Sequence, residues 1–244
     1  MNCEPRAATS YDCTVLKTVF LDAGGVLMFP NWHRIEDALS RQGVTISAAA
    51  LAKAEPYARR KLDNGGTIAT TTDASRGWLF FDLILEEAGI PRSPLTAAAL
   101  TELHAYHQAN NLWEFVPDEV EPALTALKQR GLTLVVVSNA NGTLRKHMDR
   151  LGLSALVDIV LDSCEEGVEK PDPKFFEIAL SRASAERKTT IHVGDFYQVD
   201  VLGARAAGIR PVLVDQAGLR PDADCPRVDS LRELVAQISA GVFN

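Results

Sequence analysis

The chain has 244 residues, of which 46% are apolar and 23% charged, and its formal net charge at pH 7 is −7. This is enough apolar material to bury a sizeable core. A net negative chain without a long run of Lys or Arg repels phosphodiester backbones and anionic lipids. We therefore expect neither nucleic acid nor a membrane as its partner.

Four cysteines are scattered along the chain without C-x-x-C or metal-ligand spacing: Cys3, Cys13, Cys164 and Cys225. Isolated cysteines of this kind are typical of free thiols in a reducing compartment. Residues 1–14 lack the apolar stretch of a signal peptide, and no segment approaches the ~20 apolar residues of a transmembrane helix. We predict a cytoplasmic protein whose residues 1–14 form a flexible tail.

The first ordered element is a buried strand over residues 15–21, which ends in the turn Asp22-Ala23-Gly24-Gly25. From about residue 30 to residue 111 the pattern becomes helical. The alanine-rich stretches 46–62, 74–88 and 94–110 follow one another without a convincing strand, and the Asn64-Gly65-Gly66 segment between the first two is predicted to be a loop. This region is an insertion of roughly eighty residues.

After residue 113, apolar strands alternate with amphipathic helices. The strands are predicted at 132–137, 157–161, 190–193 and 211–214, and the helices at 119–130, 142–151, 173–182, 198–207 and 230–239. Such alternation indicates a doubly wound, Rossmann-like parallel sheet covered by helices on both faces. We predict an α/β core domain of residues 15–29 and 114–244 that carries an inserted α-helical cap domain of residues 30–113.

Three polar residues come directly after or at the end of apolar strands: Asp22, Ser138 and Asp195. Ligands of open α/β sheets bind beyond the carboxyl ends of the strands, so these side chains are expected to meet. Asp200 follows Asp195 by five residues, and Lys170 lies in a segment that two prolines restrict. Each residue alone could be a turn, a helix cap or a solvated surface group, but together they indicate an oxygen-rich site suited to Mg²⁺.

These residues also carry a family resemblance. The segment from Val19 to Leu27, the Ser138-Asn139 pair after a strand, Lys170-Pro171, and Gly194-Asp195 with Asp200 resemble, in order and spacing, the four motifs of the haloacid dehalogenase superfamily. The insertion between the first two motifs resembles the cap of the subgroup with helical caps.

The resemblance implies a role for each motif residue. Asp22 would attack phosphorus and form an aspartyl-phosphate that water then hydrolyses. Asp22, the Gly24 carbonyl, Asp195 and, in an outer position, Asp200 would hold Mg²⁺. The phosphoryl oxygens would be bound by Ser138, Asn139 and Lys170. The implied function is a Mg²⁺-dependent phosphatase for a small phosphorylated metabolite, working as a monomer or homodimer.

One departure from the family pattern limits the range of substrates that we expect. Phosphatases of this superfamily normally carry a second Asp, the general acid, at the position of Gly24. General acid–base catalysis is typically worth ~10²–10⁴-fold. Its loss matters more for alkyl phosphates than for aryl or acyl phosphates, whose leaving groups need little protonation. Either the substrate is an activated ester or His33, Asn139 or water replaces the acid.

Three other functions stay open at the level of sequence. One is metal-free 2-haloacid dehalogenation, which also lacks the second Asp, although Asp195 and Asp200 do not suit it. Another is phosphonate hydrolysis, which would need a cap lysine such as Lys53 or Lys61. The third is a catalytically degenerate protein that only binds phosphate.

The insertion offers candidates for substrate contact, although most of its charged residues are expected to face solvent and its aromatic residues to form its core. These candidates are Arg59, Arg60, Lys61, Arg76, Trp78 and Phe80. His104 and His107 are expected at the surface, and His192 is expected to be a hydrogen-bonded core residue.

Overall fold

In the computed structural model, residues 15–71 and 73–243 are described, so the predicted tail of residues 1–14 lies outside the described residues. Six parallel strands form one sheet in the order β3-β2-β1-β4-β5-β6. The strands are β1 Thr18–Leu21, β2 Thr133–Ser138, β3 Ile159–Asp162, β4 Thr190–Gly194, β5 Arg210–Val214 and β6 Arg227–Val228. The predicted doubly wound parallel sheet is confirmed.

Six helices lie between β1 and β2: the first five belong to the insertion, and the sixth leads into β2. The others connect or follow the later strands. The first five are α1 Trp32–Arg41, α2 Ala48–Leu62, α3 Gly65–Thr70, α4 Asp73–Glu87 and α5 Pro94–Asn110. The later helices are α6 Val120–Gln129, α7 Leu144–Arg150, α8 Ser163–Glu166, α9 Pro173–Arg182, α10 Leu202–Ala206 and α11 Leu231–Ser239. No helix in the described part of the chain combines the length and apolar character that crossing a bilayer requires.

Both faces of the sheet are buried, as the apolar strand sequences predict. In β1, Val19 and Leu21 belong to one apolar cluster and Phe20 to the cluster on the opposite face, since successive side chains of a strand point to opposite sides. A third cluster, which includes Leu39, Leu51 and Phe81, lies within the five-helix insertion. The insertion therefore has an apolar core of its own, while its designation as a cap domain of residues 30–113 stays a prediction.

Several elements differ from the sequence prediction, among them the short helix α8, which was not predicted. Asn64, in the predicted loop, is the N-cap of the short helix α3, because its side-chain oxygen accepts the Thr67 N–H at 2.9 Å. The predicted helix 198–207 begins instead as one π-helical turn, Tyr197–Val201, and continues as α10. The two-residue strand β6 was missed because so short a segment shows no alternation.

The two connections between the insertion and the sheet lie side by side. Phe29 and Phe115 exchange main-chain hydrogen bonds of 2.8 and 3.0 Å, and the Asn31 N–H donates to the Leu112 carbonyl at 2.9 Å. This short antiparallel pairing brings the end of the insertion back to its beginning. It places residues 112 and 113 beside the turn that follows β1.

Candidate active site

The carboxyl ends of β1, β2 and β4 carry the acidic and hydroxylic residues that the sequence singled out. Asp22 directly follows β1, and its main-chain N–H donates to the Val193 carbonyl of β4 at 2.9 Å. Asp195 directly follows β4, and Ser138 is the last residue of β2. Since the strands are parallel and adjacent, these side chains share one edge of the sheet.

Three carboxylates form the centre of this edge. Asp22, Asp195 and Asp200 each present an oxygen within 4.8 Å of the others. Two glycines permit this approach, because a Cβ on Gly25 would lie 2.0 Å from Asp195 Oδ2 and a Cβ on Gly194 would lie 2.1 Å from Asp200 Cγ. Gly25 also has a φ of +73°, which other residues rarely adopt.

Lys170 is the buried cation of the cluster, with 1% of its surface exposed. Its Nζ lies 3.0 Å from Asp22 Oδ1 and donates to Asp200 Oδ1 at 2.7 Å. Burial disfavours the charged ammonium, but the carboxylates of Asp200 and Asp22 outweigh this effect and raise the pKa of Lys170. The side chain therefore stays cationic beside the nucleophile candidate.

Asn139 positions Lys170 through its backbone. The Asn139 side chain accepts the Lys170 N–H at 2.8 Å and donates to the Lys170 carbonyl at 3.0 Å. These bonds engage Oδ1 and one of the two Nδ2 protons, so a contact between Asn139 and a phosphoryl oxygen would use its main-chain N–H or the second Nδ2 proton.

Asp200 is surrounded by donors. Besides Lys170, its Oδ1 accepts from His192 Nε2 at 2.9 Å, and its Oδ2 accepts the Phe196 N–H at 3.0 Å. Burial opposes its charge, but Lys170 and His192 lower the pKa of Asp200. Burial lowers the pKa of His192, which is fully buried beneath this pair as a hydrogen-bonded core residue.

Helix α2 contributes two charged side chains to the edge. Arg59 forms ion pairs with Asp195 and with Glu55, one helical turn earlier. Burial, together with repulsion from Asp22 and Asp200, raises the pKa of Asp195 although Arg59 opposes the shift. Sequence reasoning named Arg59 only as one of several cap candidates, and it missed Glu55, which looks like an ordinary residue of an alanine-rich helix.

The donor set suits a divalent cation. Four carboxylates, those of Asp22, Glu55, Asp195 and Asp200, face the two cationic side chains of Arg59 and Lys170. When all four carboxylates are ionised, the cluster carries two more negative charges than positive ones. Asp195 Oδ1 is buried and accepts no hydrogen bond from a described residue. In the turn after β1, the Ala23 carbonyl and the Gly25 N–H take part in main-chain hydrogen bonds, whereas the Gly24 carbonyl does not. Carboxylate and carbonyl oxygens are the ligands that Mg²⁺ prefers.

A cavity of about 470 Å³ opens over this edge. All seven residues proposed from the sequence line it: Asp22, Gly24, Ser138, Asn139, Lys170, Asp195 and Asp200. The Ser138 hydroxyl has no hydrogen-bond partner among residues 15–71 and 73–243, so it is available to a ligand. The structure brings the predicted residues together; their individual roles stay predictions.

Some candidates lie elsewhere. Lys53 and Lys61 are exposed, and Lys61 pairs with Glu86. His33 is also exposed, lies near Glu36 and is not among the residues that line the cavity.

Other candidates line the cavity: Arg76, Trp78 and Phe80. His107, predicted to be a surface residue, lines it as well, and so does Trp113, which sequence reasoning missed. The only available signal for Trp113 was its place at the end of the insertion, directly before the core resumes.

A family model of the haloacid dehalogenase-like hydrolases matches residues 16–208. The chain belongs to the haloacid dehalogenase-like hydrolases. The match covers strands β1 to β4, the insertion and all four motifs. The family predicted from the motifs is therefore confirmed, and the chain is a hydrolase.

Two curated relatives illustrate the family. The chain is 32% identical to the haloacid dehalogenase-like hydrolase domain-containing protein 3 of Bos taurus, over 78% of this chain and 72% of the relative. It is 36% identical to the ribulose-1,5-bisphosphate 5-phosphatase of Halopiger xanaduensis, over 64% of this chain and 63% of that protein. The matches thus span roughly two thirds of these relatives' lengths.

A solved structure shares the fold of this hydrolase. The magnesium-bound HAD-hydrolase YfnB from Bacillus subtilis superposes with a TM-score of 0.66 at 17% identity, covering 92% of this chain and 99% of that one. At this level of identity the likeness shows the fold alone.

Proposed function

We propose that this hydrolase is a Mg²⁺-dependent phosphatase that acts on a small phosphorylated metabolite through an aspartyl-phosphate on Asp22. The observation that carries the proposal is the buried Lys170 ammonium, 3.0 Å from Asp22 Oδ1, at the floor of a cavity with three clustered carboxylates. Phosphoryl transfer needs chiefly positioning and charge neutralisation, which this arrangement supplies.

In the proposed reaction the chain's own residues have distinct tasks. Asp22 is held by its neighbour's N–H, at 2.8 Å from Oδ1, and by Lys170. A carboxylate oxygen attacks phosphorus, the P–O ester bond breaks, and the leaving group departs with the electron pair and takes a proton from water. A second water then attacks the aspartyl-phosphate, which releases inorganic phosphate and restores the carboxylate.

The remaining residues bind and orient the phosphoryl group. The Ser138 hydroxyl, the Asn139 main-chain N–H and Lys170 would contact its oxygens. Asp22, the Gly24 carbonyl and Asp195 would hold Mg²⁺, which when bound neutralises charge on the phosphoryl oxygens. Asp200, whose oxygens already accept three hydrogen bonds, would act by holding Lys170 and the turn after β4.

The test is phosphate release from a panel of phosphate monoesters with Mg²⁺ and with EDTA. Asp22→Asn should lower turnover by at least ~10⁴-fold, as removal of a nucleophile does, whereas the matched surface change Asp118→Asn should leave it unaltered. Phosphate release that survives Asp22→Asn would refute the proposal.

The absence of an acidic side chain at position 24 favours a second candidate function, that of a 2-haloacid dehalogenase. Carbon–halogen cleavage needs no protonation of the departing halide, so a 2-haloacid dehalogenase would not miss an acid at this position. The carboxylate cluster around Asp195 weighs against it, because metal-free chemistry has no use for a surplus of buried negative charge. Release of chloride from 2-chloropropionate in the presence of EDTA would favour this function. Mg²⁺ binding without turnover of any substrate would indicate a degenerate phosphate-binding protein.

A further inference from the structure

The cavity is lined by chemically different groups. The strand ends contribute polar and charged residues. The insertion contributes polar residues, such as Arg59, Arg76 and Gln108, and most of a set of ring-bearing residues that we call the aromatic wall: Trp78, Phe80, Phe81, His107, Trp113 and Phe196. A volume of about 470 Å³ lies within the range of sites that bind small organic ligands and exceeds what a phosphoryl group alone requires.

The Trp113 ring lies against Gly24, two residues after Asp22. A Cβ added to Gly24 would lie 3.5 Å from Trp113 Nε1 and 3.6 Å from its Cδ1. The indole therefore lies against the position where a second acidic side chain would begin. Its N–H donates to no other residue in the described part of the chain and lies at the cavity.

Packing holds this indole in place. The rings of Phe81 and His107 contact it edge to face, with centroid distances of 5.5 and 5.6 Å. The Trp113 carbonyl accepts from His147 Nε2 at 2.6 Å. His107 Nδ1 in turn accepts the Leu112 N–H at 3.1 Å, which leaves the proton of a neutral His107 on Nε2.

The aromatic wall provides no unpaired cation that could bind a second anionic group on the substrate. Arg59 is paired with Asp195 and Glu55, and Arg76 donates to the Thr71 carbonyl at 3.0 Å. Burial, with smaller contributions from His104 and His147, lowers the pKa of His107 and keeps it neutral. The wall thus consists of aromatic rings and polar N–H groups, while the guanidinium groups beside it are already engaged.

We propose that this wall is a leaving-group subsite for a flat, uncharged aromatic group, so that the substrate class is aryl phosphate monoesters, with Trp113 Nε1–H donating to the ester oxygen. This inference rests on the proposed phosphatase function. When Asp22 attacks, the P–O bond breaks and the aryloxide leaves with the electron pair, later taking a proton from water. An indole N–H donates a hydrogen bond but does not act as an acid, which suits a leaving group that needs no proton from the protein.

Four substrates separate ring binding from leaving-group quality. With Mg²⁺ present, kcat/KM is measured for 4-nitrophenyl phosphate and benzyl phosphate, which carry rings, and for acetyl phosphate and propyl phosphate, which do not. In each pair the first has the better leaving group. The subsite predicts that a ring raises kcat/KM at both levels of leaving-group quality. Aromatic contacts of ~0.5–1.5 kcal/mol each correspond to about 2- to 12-fold per contact.

Two variants of Trp113 test the residue itself. Trp113→Leu should lower kcat/KM for 4-nitrophenyl phosphate about tenfold through lost ring contacts, and change that for acetyl phosphate much less. Trp113→Phe keeps a ring but removes the N–H. It should therefore lower kcat/KM for benzyl phosphate about fivefold, the value of one hydrogen bond, and lower kcat/KM for 4-nitrophenyl phosphate by less. Trp32→Leu is the matched control, since Trp32 packs in the insertion but does not line the cavity.

A binding measurement keeps the two proposals distinguishable. Calorimetry measures the affinities for phenylphosphonate and methylphosphonate without turnover. The affinity for phenylphosphonate should be about tenfold higher, and Trp113→Leu should remove this difference. Equal affinities, or equal loss of acetyl and 4-nitrophenyl phosphate turnover in Trp113→Leu, would overturn the aromatic subsite. Ring-dependent binding without Asp22-dependent turnover would instead refute the phosphatase proposal and leave the subsite standing.

Discussion

Gly24 is the residue at which this chain differs most from the family pattern it otherwise follows. The position lacks a side chain, yet it is not sterically closed, because an added Cβ would meet only Trp113 at ordinary contact distances of 3.5 and 3.6 Å. The general acid can therefore be introduced without moving the backbone.

We predict that Gly24→Asp raises turnover of alkyl phosphates much more than that of aryl phosphates. A general acid is worth ~10²–10⁴-fold, and only the poorer leaving group uses most of it. Steady-state rates with propyl and 4-nitrophenyl phosphate check this, and Gly24→Asn serves as the isosteric control without an acidic proton. Equal gains on both esters would contradict the view that an acid is missing.

Asp195 gives a prediction about metal binding that does not depend on turnover. If the carboxylate cluster binds Mg²⁺, saturation at 100 times Kd stabilises the fold by about 2.7 kcal/mol, a rise in Tm of roughly 5–10 °C for a chain of this size. Asp195→Asn should abolish the rise, since it removes one of the carboxylates of the cluster. Thermal unfolding with MgCl₂ and with EDTA measures this effect. An undiminished Mg²⁺-dependent rise in Asp195→Asn would place the ion elsewhere, and Asp118→Asn is the matched control.

At the scale of elements, helix α2 connects the insertion to the sheet edge through one polar face. Glu55, Arg59 and Asp63 recur at intervals of four residues, so they lie along one side of the helix and its C-cap. Asp63 accepts the N–H groups of Tyr197 and Gln198, both at 2.8 Å, and pairs with Arg220. These contacts tie the helix end to the π-helical turn that carries Asp200.

We predict that Asp63→Ala lowers the free energy of unfolding by about 2–4 kcal/mol, since it leaves two main-chain donors and a partly buried guanidinium without their acceptor. It should also weaken the contact between Arg59 and Asp195 by loosening α2. Urea denaturation measures the stability change. Asp37→Ala, an exposed position on α1, is the control and should stay within about 0.5 kcal/mol of the parent. A comparably small effect at Asp63 would show that α2 docks through its other contacts.

At the scale of the whole molecule, the insertion and the sheet bury separate apolar clusters. The hydrogen-bonded pair of Phe29 and Phe115 closes the base of the insertion. We therefore propose the division into a core of residues 15–29 and 114–244 and a cap of residues 30–113 as two folding units.

Replacing residues 31–113 by Asn-Gly should leave a core that still unfolds cooperatively. The two connections would then be joined by a short hairpin loop of a common type. Far-UV circular dichroism and urea unfolding check this against the full chain, with lower stability expected because the Asp63 and Arg59 contacts are gone. A product without a cooperative transition would show that the sheet and the insertion form a single unit.

The sequence alone determined the architecture and the floor of the site. Parallel strands end at one edge of a sheet, so residues that follow the strands in sequence come together at that edge, independently of how the helices pack. Asp22, Ser138 and Asp195 are such residues. The strands could also be predicted from the sequence, because strands buried on both faces are continuously apolar.

The residues that cover this part of the site could not be predicted from the sequence and became apparent in the folded arrangement. Glu55, Arg59, Asp63 and Trp113 reach the site because the insertion docks on the sheet, and their partners are far away in sequence, as with Asp63 and Tyr197 at a separation of 134 residues. No local period or motif marks such residues, since a polar helix face has the same sequence whether it meets solvent or another element. The physical reason is that docking depends on the shapes and charges of two assembled surfaces, and these exist only once both have folded.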